Sequence, residues 1–195
     1  MLNIEKINIG IVGAGGRPKG FISAIENSKR ARLVSVCDTN SEAMDKAVEG
    51  LSDVREYTDY EEMLRKEDLD AVIIGTPMHL HTAQAVAALE NNINVFSEVT
   101  AAISVDECKK LVKACGASKA QYMMGENCNY MKPYMMIREM IRDGVFGEVY
   151  YAEGEYLHNC KSLAVSTPWR RDLLYGVDGI TYGTHSLGPI LSWFE

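Results

Sequence analysis

The chain has 195 residues, 47% of them hydrophobic and 24% charged, with a formal net charge of −7. That composition excludes a disordered or collagen-like chain and leaves room for one ordinary domain and part of a second. The negative charge, with no lysine- or arginine-rich block, argues against nucleic acid or an anionic membrane as partner, and no apolar run reaches the length of a bilayer span.

The N-terminus lacks the charged-then-apolar pattern of a secretory leader, so the expected compartment is the cytoplasm. Five cysteines (Cys37, Cys108, Cys115, Cys128 and Cys160) are odd in number and contain no C-x-x-C pair. Their spacing predicts neither a disulfide framework nor a zinc site, and no metal site is expected. Cys108 and Cys115 share a helical stripe with Val105, Leu111 and Val112 and read as small buried apolar residues.

The first predicted element is a strand over residues 7–12, with Ile7, Ile9, Ile11 and Val12. It breaks into Gly13-Ala14-Gly15-Gly16-Arg17-Pro18-Lys19-Gly20. A helix through Phe21, Ile22 and Ile25 follows. Strand, tight glycine turn and helix is the arrangement that cradles a pyrophosphate: glycine tolerates positive φ, offers no side chain to an approaching phosphate, and the helix end is electropositive. The pattern is imperfect, because Gly13 and Gly15 fill the first two positions of G-x-G-x-x-G and Pro18 the third. Proline is tolerated there, since a first-turn N–H has no helical partner to lose.

A second strand over residues 32–37 ends at Asp38. An acid there accepts hydrogen bonds from an adenosine ribose and repels a 2′-phosphate, favouring NAD over NADP; it also reads as a plain helix cap. Thr39 and Glu42 form a predicted capping box. Short strand and helix patterns occupy residues 54–57 and 60–66. The run Asp70-Ala71-Val72-Ile73-Ile74-Gly75, ended by Thr76-Pro77, has the continuous apolarity of a strand buried on both faces of a parallel sheet. A helix, a strand over residues 93–97, a helix capped by Ser104 and Glu107, and a strand over residues 121–124 complete a doubly wound pattern. The first domain is expected over residues 1–125 and a partial second domain over 126–195. The second begins with a helix over residues 131–143. One long strand over 147–157 and a final helix from about Ser186 follow. Pro189 is expected within that helix's first turn, with His185 as its cap or just outside. The second domain reads as the truncated start of an α+β unit, because one strand and two helices do not close a core.

These residues resemble the glucose–fructose oxidoreductase / inositol dehydrogenase / MocA family over essentially the whole chain. The resemblance rests on the glycine turn, Cys37-Asp38, the run from Asp70 to Pro77 with His79 and His81, Ser97-Glu98, and Gly147-Glu148-Val149. It implies a Rossmann domain that holds NAD, with Gly13, Gly15, Gly16, Arg17, Asp38, Thr76, Pro77, His79, His81 and Glu98 on the cofactor side. It also implies that a complete second domain supplies the substrate pocket and a homo-oligomer contact. The sequence departs from the family at Glu98-Val99-Thr100, where dehydrogenases of this kind carry Glu-Lys-Pro and use the lysine to polarise the reacting oxygen.

A branch that includes NAD-dependent glycosidases such as α-N-acetylgalactosaminidase resembles the chain more closely. It shares Ser-Glu-Val, Glu126-Asn127-Cys128-Asn129-Tyr130, and Tyr182-Gly183-Thr184-His185-Ser186-Leu187-Gly188-Pro189. The match implies that Asn127, Trp169 and Arg170 touch NAD and that Tyr156, Tyr182 and His185 line a sugar. On residue type, Tyr182 and His185 suit an acid/base pair, and equally a core tyrosine and a capping histidine. The expected function is an NAD-dependent oxidoreductase acting on a sugar or polyol. The alternatives are a glycosidase that oxidises C3 transiently, eliminates the aglycone and re-reduces the sugar, and a truncated NAD-binding remnant without turnover.

Overall fold

The computed structural model describes residues 6–159, 161–167, 169–170 and 183–194. The chain divides into two compact units, Met1–Met124 and Gly125–Glu195.

In the first unit, strands β1 (Ile7–Val12), β2 (Ala31–Cys37), β3 (Arg55–Tyr57), β4 (Ala71–Ile74), β5 (Asn94–Ser97) and β6 (Tyr122–Met124) form one sheet. Its order is β3-β2-β1-β4-β5-β6 and every pairing is parallel. Helices α1 (Pro18–Glu26), α2 (Ser41–Val48), α3 (Tyr60–Lys66), α4 (His81–Glu90) and α5 (Val105–Ala117) alternate with the strands. Side chains alternate across each strand, so consecutive residues serve opposite faces. On β4, Val72 and Ile74 join a core with Met63, Leu89 and Leu111, while Ile73 joins Ile11, Ile22, Val36 and Met44 in a second core. Strands covered on both faces explain the unbroken apolar runs in the sequence. This is the Rossmann arrangement that the sequence predicts. The strand order reverses between β1 and β4, and such a crevice, at the carboxyl ends of the strands, is where ligands bind in open α/β sheets.

Two local expectations are corrected. Asn40, not Thr39, caps α2, its Oδ1 accepting from the Ala43 amide. On α5, Val105 and Val112 are more than two-thirds exposed and Cys108 is exposed. Leu111 is the one buried side chain of that helix. Burying Leu111 with Ala114 and Cys115 half covered fixes the helix rotation and turns the valines outward. Periodicity defined a stripe there, and the larger leucine chose the neighbouring one.

The second unit contains α6 (Lys132–Arg142), α7 (Lys161–Ser166) and α8 (Thr184–Trp193), preceded by a 3-10 turn over Asn127–Tyr130. The long strand expected over residues 147–157 is not formed; that stretch carries no regular structure. A strand is stable only where a neighbour takes up its backbone N–H and C=O groups, and no strand lies among the described residues of this unit. Helix α8 starts earlier than expected. His185 is inside it, and Pro189 is in its interior rather than its first turn. The missing Pro189 N–H forfeits one helical bond, and the proline ring itself is buried.

Candidate functional site

In the first unit, the turn after β1 is shaped by Gly13. Its φ is +94°, and a Cβ there would lie 2.7 Å from the Gly75 carbonyl carbon and the Thr76 nitrogen. Glycine is therefore required both for the turn and for its close approach to the end of β4. Gly15 and Gly16 face open space, with nothing within 4 Å of where a Cβ would stand. Helix α1 begins directly after the turn with Pro18 in its first turn.

Asp38, at the carboxyl end of β2, is drawn onto this turn. Its Oδ2 accepts from the Ala14 amide at 2.6 Å, and its Oδ1 accepts from the Asn40 amide at 2.9 Å. Each carboxylate oxygen keeps a further lone pair for a ligand hydroxyl. Asp38 thus stands beside the glycine turn and holds the Asn40 amide just ahead of α2, while Asn40 rather than Asp38 caps that helix. The Arg17 Nε donates to Glu98 Oε1 at 2.8 Å, joining the glycine turn to the end of β5; the arginine is 59% exposed and the glutamate 11%. An open glycine turn, a carboxylate with spare acceptors and an exposed guanidinium together fit a dinucleotide.

The turn after β4 is held by side chains. Thr76 Oγ1 donates to Gln84 Oε1 at 2.6 Å, and Pro77 opens a 3-10 turn that leaves His79 exposed. His81 is buried. Its two ring nitrogens lie 2.8 Å from the Thr76 and Thr100 carbonyl oxygens, so the ring ties the turn after β4 to the turn after β5. Val99 is buried in that second turn.

In the second unit, the Nδ1 of His185, on the first turn of α8, lies 2.7 Å from Glu126 Oε1 and 3.6 Å from Cys128 Sγ. Glu126 is 3% exposed and also accepts from the Cys128 amide. Burial by itself pushes the Glu126 carboxyl up, but the hydrogen bonds from His185, the Thr184 hydroxyl and the Cys128 amide outweigh it and hold the carboxyl below its ordinary value. Burial, then the Glu126 charge, pushes the Cys128 thiol up. An ionised Glu126 accepts the Nδ1 proton, which fixes the tautomer of the ring. Gly188 makes the approach possible: a Cβ there would stand 2.6 Å from Glu126 Cγ and 2.7 Å from Asn129 Oδ1. The Tyr156 ring stacks with its centroid 4.6 Å from those of His158 and His185. Arg170 stacks over Trp169 at 4.2 Å, and Asn127 begins the 3-10 turn. Tyr182 lies outside the described residues.

The fold therefore joins Gly13, Asp38, Arg17 and Glu98 through the glycine turn, and separately joins Tyr156 to His185. Glu126 and Cys128 were not singled out by sequence reasoning. The only signal for Glu126 was its place beside Asn127 in a quoted motif.

Strand order, glycine turn and acid define a dinucleotide-binding α/β protein. The model of the oxidoreductase family with the NAD-binding Rossmann fold matches residues 7–126, and the chain belongs to that family. Among curated relatives, a glycosyl hydrolase family 109 protein of Shewanella woodyi is 32% identical, covering 98% of this chain and 44% of the relative. The alpha-N-acetylgalactosaminidase of Shewanella oneidensis is 31% identical, covering 98% and 45%. The chain thus spans less than half the length of these relatives. Among solved structures, the WlbA dehydrogenase of Bordetella pertussis in complex with NADH and UDP-GlcNAcA is 31% identical, with TM-score 0.70 over 77% of this chain and 43% of that one. The scyllo-inositol dehydrogenase of Lactobacillus casei with NAD(H) and scyllo-inositol shares the fold at 23% identity and TM-score 0.70, over 74% and 43%. No helix among the described residues is long and apolar enough to cross a membrane.

Proposed function

We propose that the chain works as an NAD-dependent oxidoreductase acting on a sugar or polyol by hydride transfer. The observation that carries this reading is Asp38, bonded to the glycine-turn amide of Ala14 with acceptor capacity to spare beside open Gly15 and Gly16. NAD, when bound, supplies the hydride acceptor. Gly13, Gly15 and Gly16 give backbone access, Arg17 offers its guanidinium to phosphate, and Asp38 takes the ribose hydroxyls and rejects a 2′-phosphate. Asn127, Trp169, Arg170, Thr76, Pro77, His79, His81 and Glu98 complete the cofactor set, His81 by holding its two turns together. In the second unit Glu126 fixes the His185 ring so that Nε2 moves a proton at a substrate hydroxyl, with Tyr182 as its partner and Tyr156 as a platform for the sugar ring. The free thiols of Cys37, Cys108, Cys115 and Cys128 suit the cytoplasm. A homo-oligomer is proposed for a form with a complete second domain.

Calorimetry tests the cofactor reading. Asp38→Ala is expected to weaken NAD binding about tenfold to a hundredfold, the loss of hydrogen bonds to a charged acceptor, and to narrow the preference for NAD over NADP. Unchanged affinity would remove Asp38 from the site.

Buried Val99, where the resemblance implies lysine, favours a second reading as a glycosidase with transient oxidation at C3. The family 109 relatives support it. Nitrophenol release from p-nitrophenyl glycosides without net NADH points to the glycosidase; accumulating NADH with free sugars or polyols points to the dehydrogenase.

A further inference from the structure

We propose that Glu126, Cys128 and His185 form a binding site for Zn²⁺ or a similar borderline-soft divalent cation. Folding brings a carboxylate oxygen, a thiol sulfur and an imidazole nitrogen within 4.8 Å of one another. This donor set matches zinc, which takes sulfur, nitrogen and oxygen ligands and keeps a fourth position open when three come from protein. With zinc–ligand bonds near 2.0–2.3 Å, a tetrahedral ion separates its ligand atoms by roughly 3.3–3.7 Å. The Cys128 Sγ to His185 Nδ1 separation is already 3.6 Å. Only the Glu126 carboxylate, 2.7 Å from Nδ1, has to turn.

A second observation points to a ligand. Glu126 Oε2 is buried with no hydrogen-bond partner among the described residues, and the same holds for Asn129 Oδ1. Asn129 Oδ1 and Glu126 flank the same point of α8, at Gly188. Buried polar atoms left unpaired are costly, and a cation in their midst relieves that cost. Cys128 and Glu126 are two residues apart, and His185 comes from a distant helix. No spacing motif in the sequence marks such a set.

Binding expels the Cys128 thiol proton, and the ring proton moves from Nδ1 to Nε2, so one proton is released per ion bound. The occupied ring then has Nε2 protonated and Nδ1 engaged. On the enzymatic reading above, zinc at this position is therefore inhibitory. Binding itself does not depend on that reading, and the test measures binding.

The full chain, stripped with a chelator, is titrated with Co²⁺ as an optical probe and with Zn²⁺ for bound-metal analysis after gel filtration. We expect one ion per chain and a thiolate-to-cobalt charge-transfer absorption. Cys128→Ser should abolish that absorption and weaken binding at least about tenfold; Cys108→Ser, on the exposed side of α5, should preserve both. The wild-type readouts, one ion per chain and the cobalt absorption, need no variant to fold. Absence of bound metal, survival of the cobalt absorption in Cys128→Ser, or its loss in Cys108→Ser each overturns the proposal.

Discussion

Ile11, Val36, Val72 and Ile74 in the first unit have no solvent exposure at all, whereas α6 in the second unit, with Ile137 and Ile141 along it, buries none of its eleven residues. The first unit closes six strands into a sheet and covers both faces, so the apolar side chains of its central strands find partner layers. Among the described residues of the second unit, the fully buried ones are Gly125, Glu126, Cys128 and Pro189. Its best-packed point is a polar cluster, while Phe146, Tyr150, Leu157 and Leu191 elsewhere in the unit are exposed. An amphipathic pattern specifies that a helix has an apolar face; it does not supply the surface that covers it. The first unit is organised by its core, the second by its candidate site.

The largest effect is expected where backbone meets backbone. In Gly13→Val, positive φ combines with a clash against Gly75 and Thr76, and destabilisation of about 3 kcal/mol or more follows. Far-ultraviolet circular dichroism reads the loss of the sheet and its helices. Gly188→Ala meets the Glu126 and Asn129 side chains instead, which can shift. It should disturb the second unit alone. Both tryptophans, Trp169 and Trp193, lie in that unit, so their fluorescence reports it without the first. If Gly188→Ala unfolds the chain as far as Gly13→Val does, the contrast between the units is broken.

A smaller effect sharpens the same contrast. Ile74→Ala opens a cavity in a dry core and should cost about 2–5 kcal/mol in urea unfolding followed by circular dichroism. Ile137→Ala, on half-covered α6, should cost less than about 1 kcal/mol in the tryptophan signal. Equal losses would mean that α6 is packed as tightly as β4.

The sheet was legible in the sequence for a physical reason: strands buried on both faces must be continuously apolar, and the glycine turn must be glycine. The same local logic failed where partners come from far along the chain. Residues 147–157 alternate like a strand, yet the described residues of the second unit offer no strand to pair with. The rotation of α5 was decided by Leu111 against Val105 and Val112, a choice that depends on the helix beneath. Gly188 reads locally as a helix breaker before Pro189, but its reason is Glu126, in a segment with which the sequence gives no hint of contact. Asp38 and His185 were legible because strand end and motif mark them; Glu126 and Cys128 were not, because a buried acid and a thiol become a site only once folding has joined them to His185.

The smallest effect concerns how dry the first core is at β2. Burial, and then the charges of Asp38 and Asp59, push the Cys37 thiol from its ordinary 9.0 up to about 11. Between those two pH values the unfolded chain releases this proton while the folded chain keeps it. The unfolded state therefore binds fewer protons, and stability falls as pH rises. The contribution is complete below pH 9.0 and is lost as pH climbs through about 11. Tyr122, pushed up to about 12 chiefly by burial, extends the loss in the same direction. Melting followed by circular dichroism should show the transition temperature falling across this window, and Cys37→Ala, which has no proton to lose there, should fall less steeply from its own lower starting point. Parallel slopes for the two proteins would mean that Cys37 ionises as readily folded as unfolded. Water would then reach the carboxyl end of β2, beside Asp38, and the first unit would be less sealed than its buried isoleucines and valines imply.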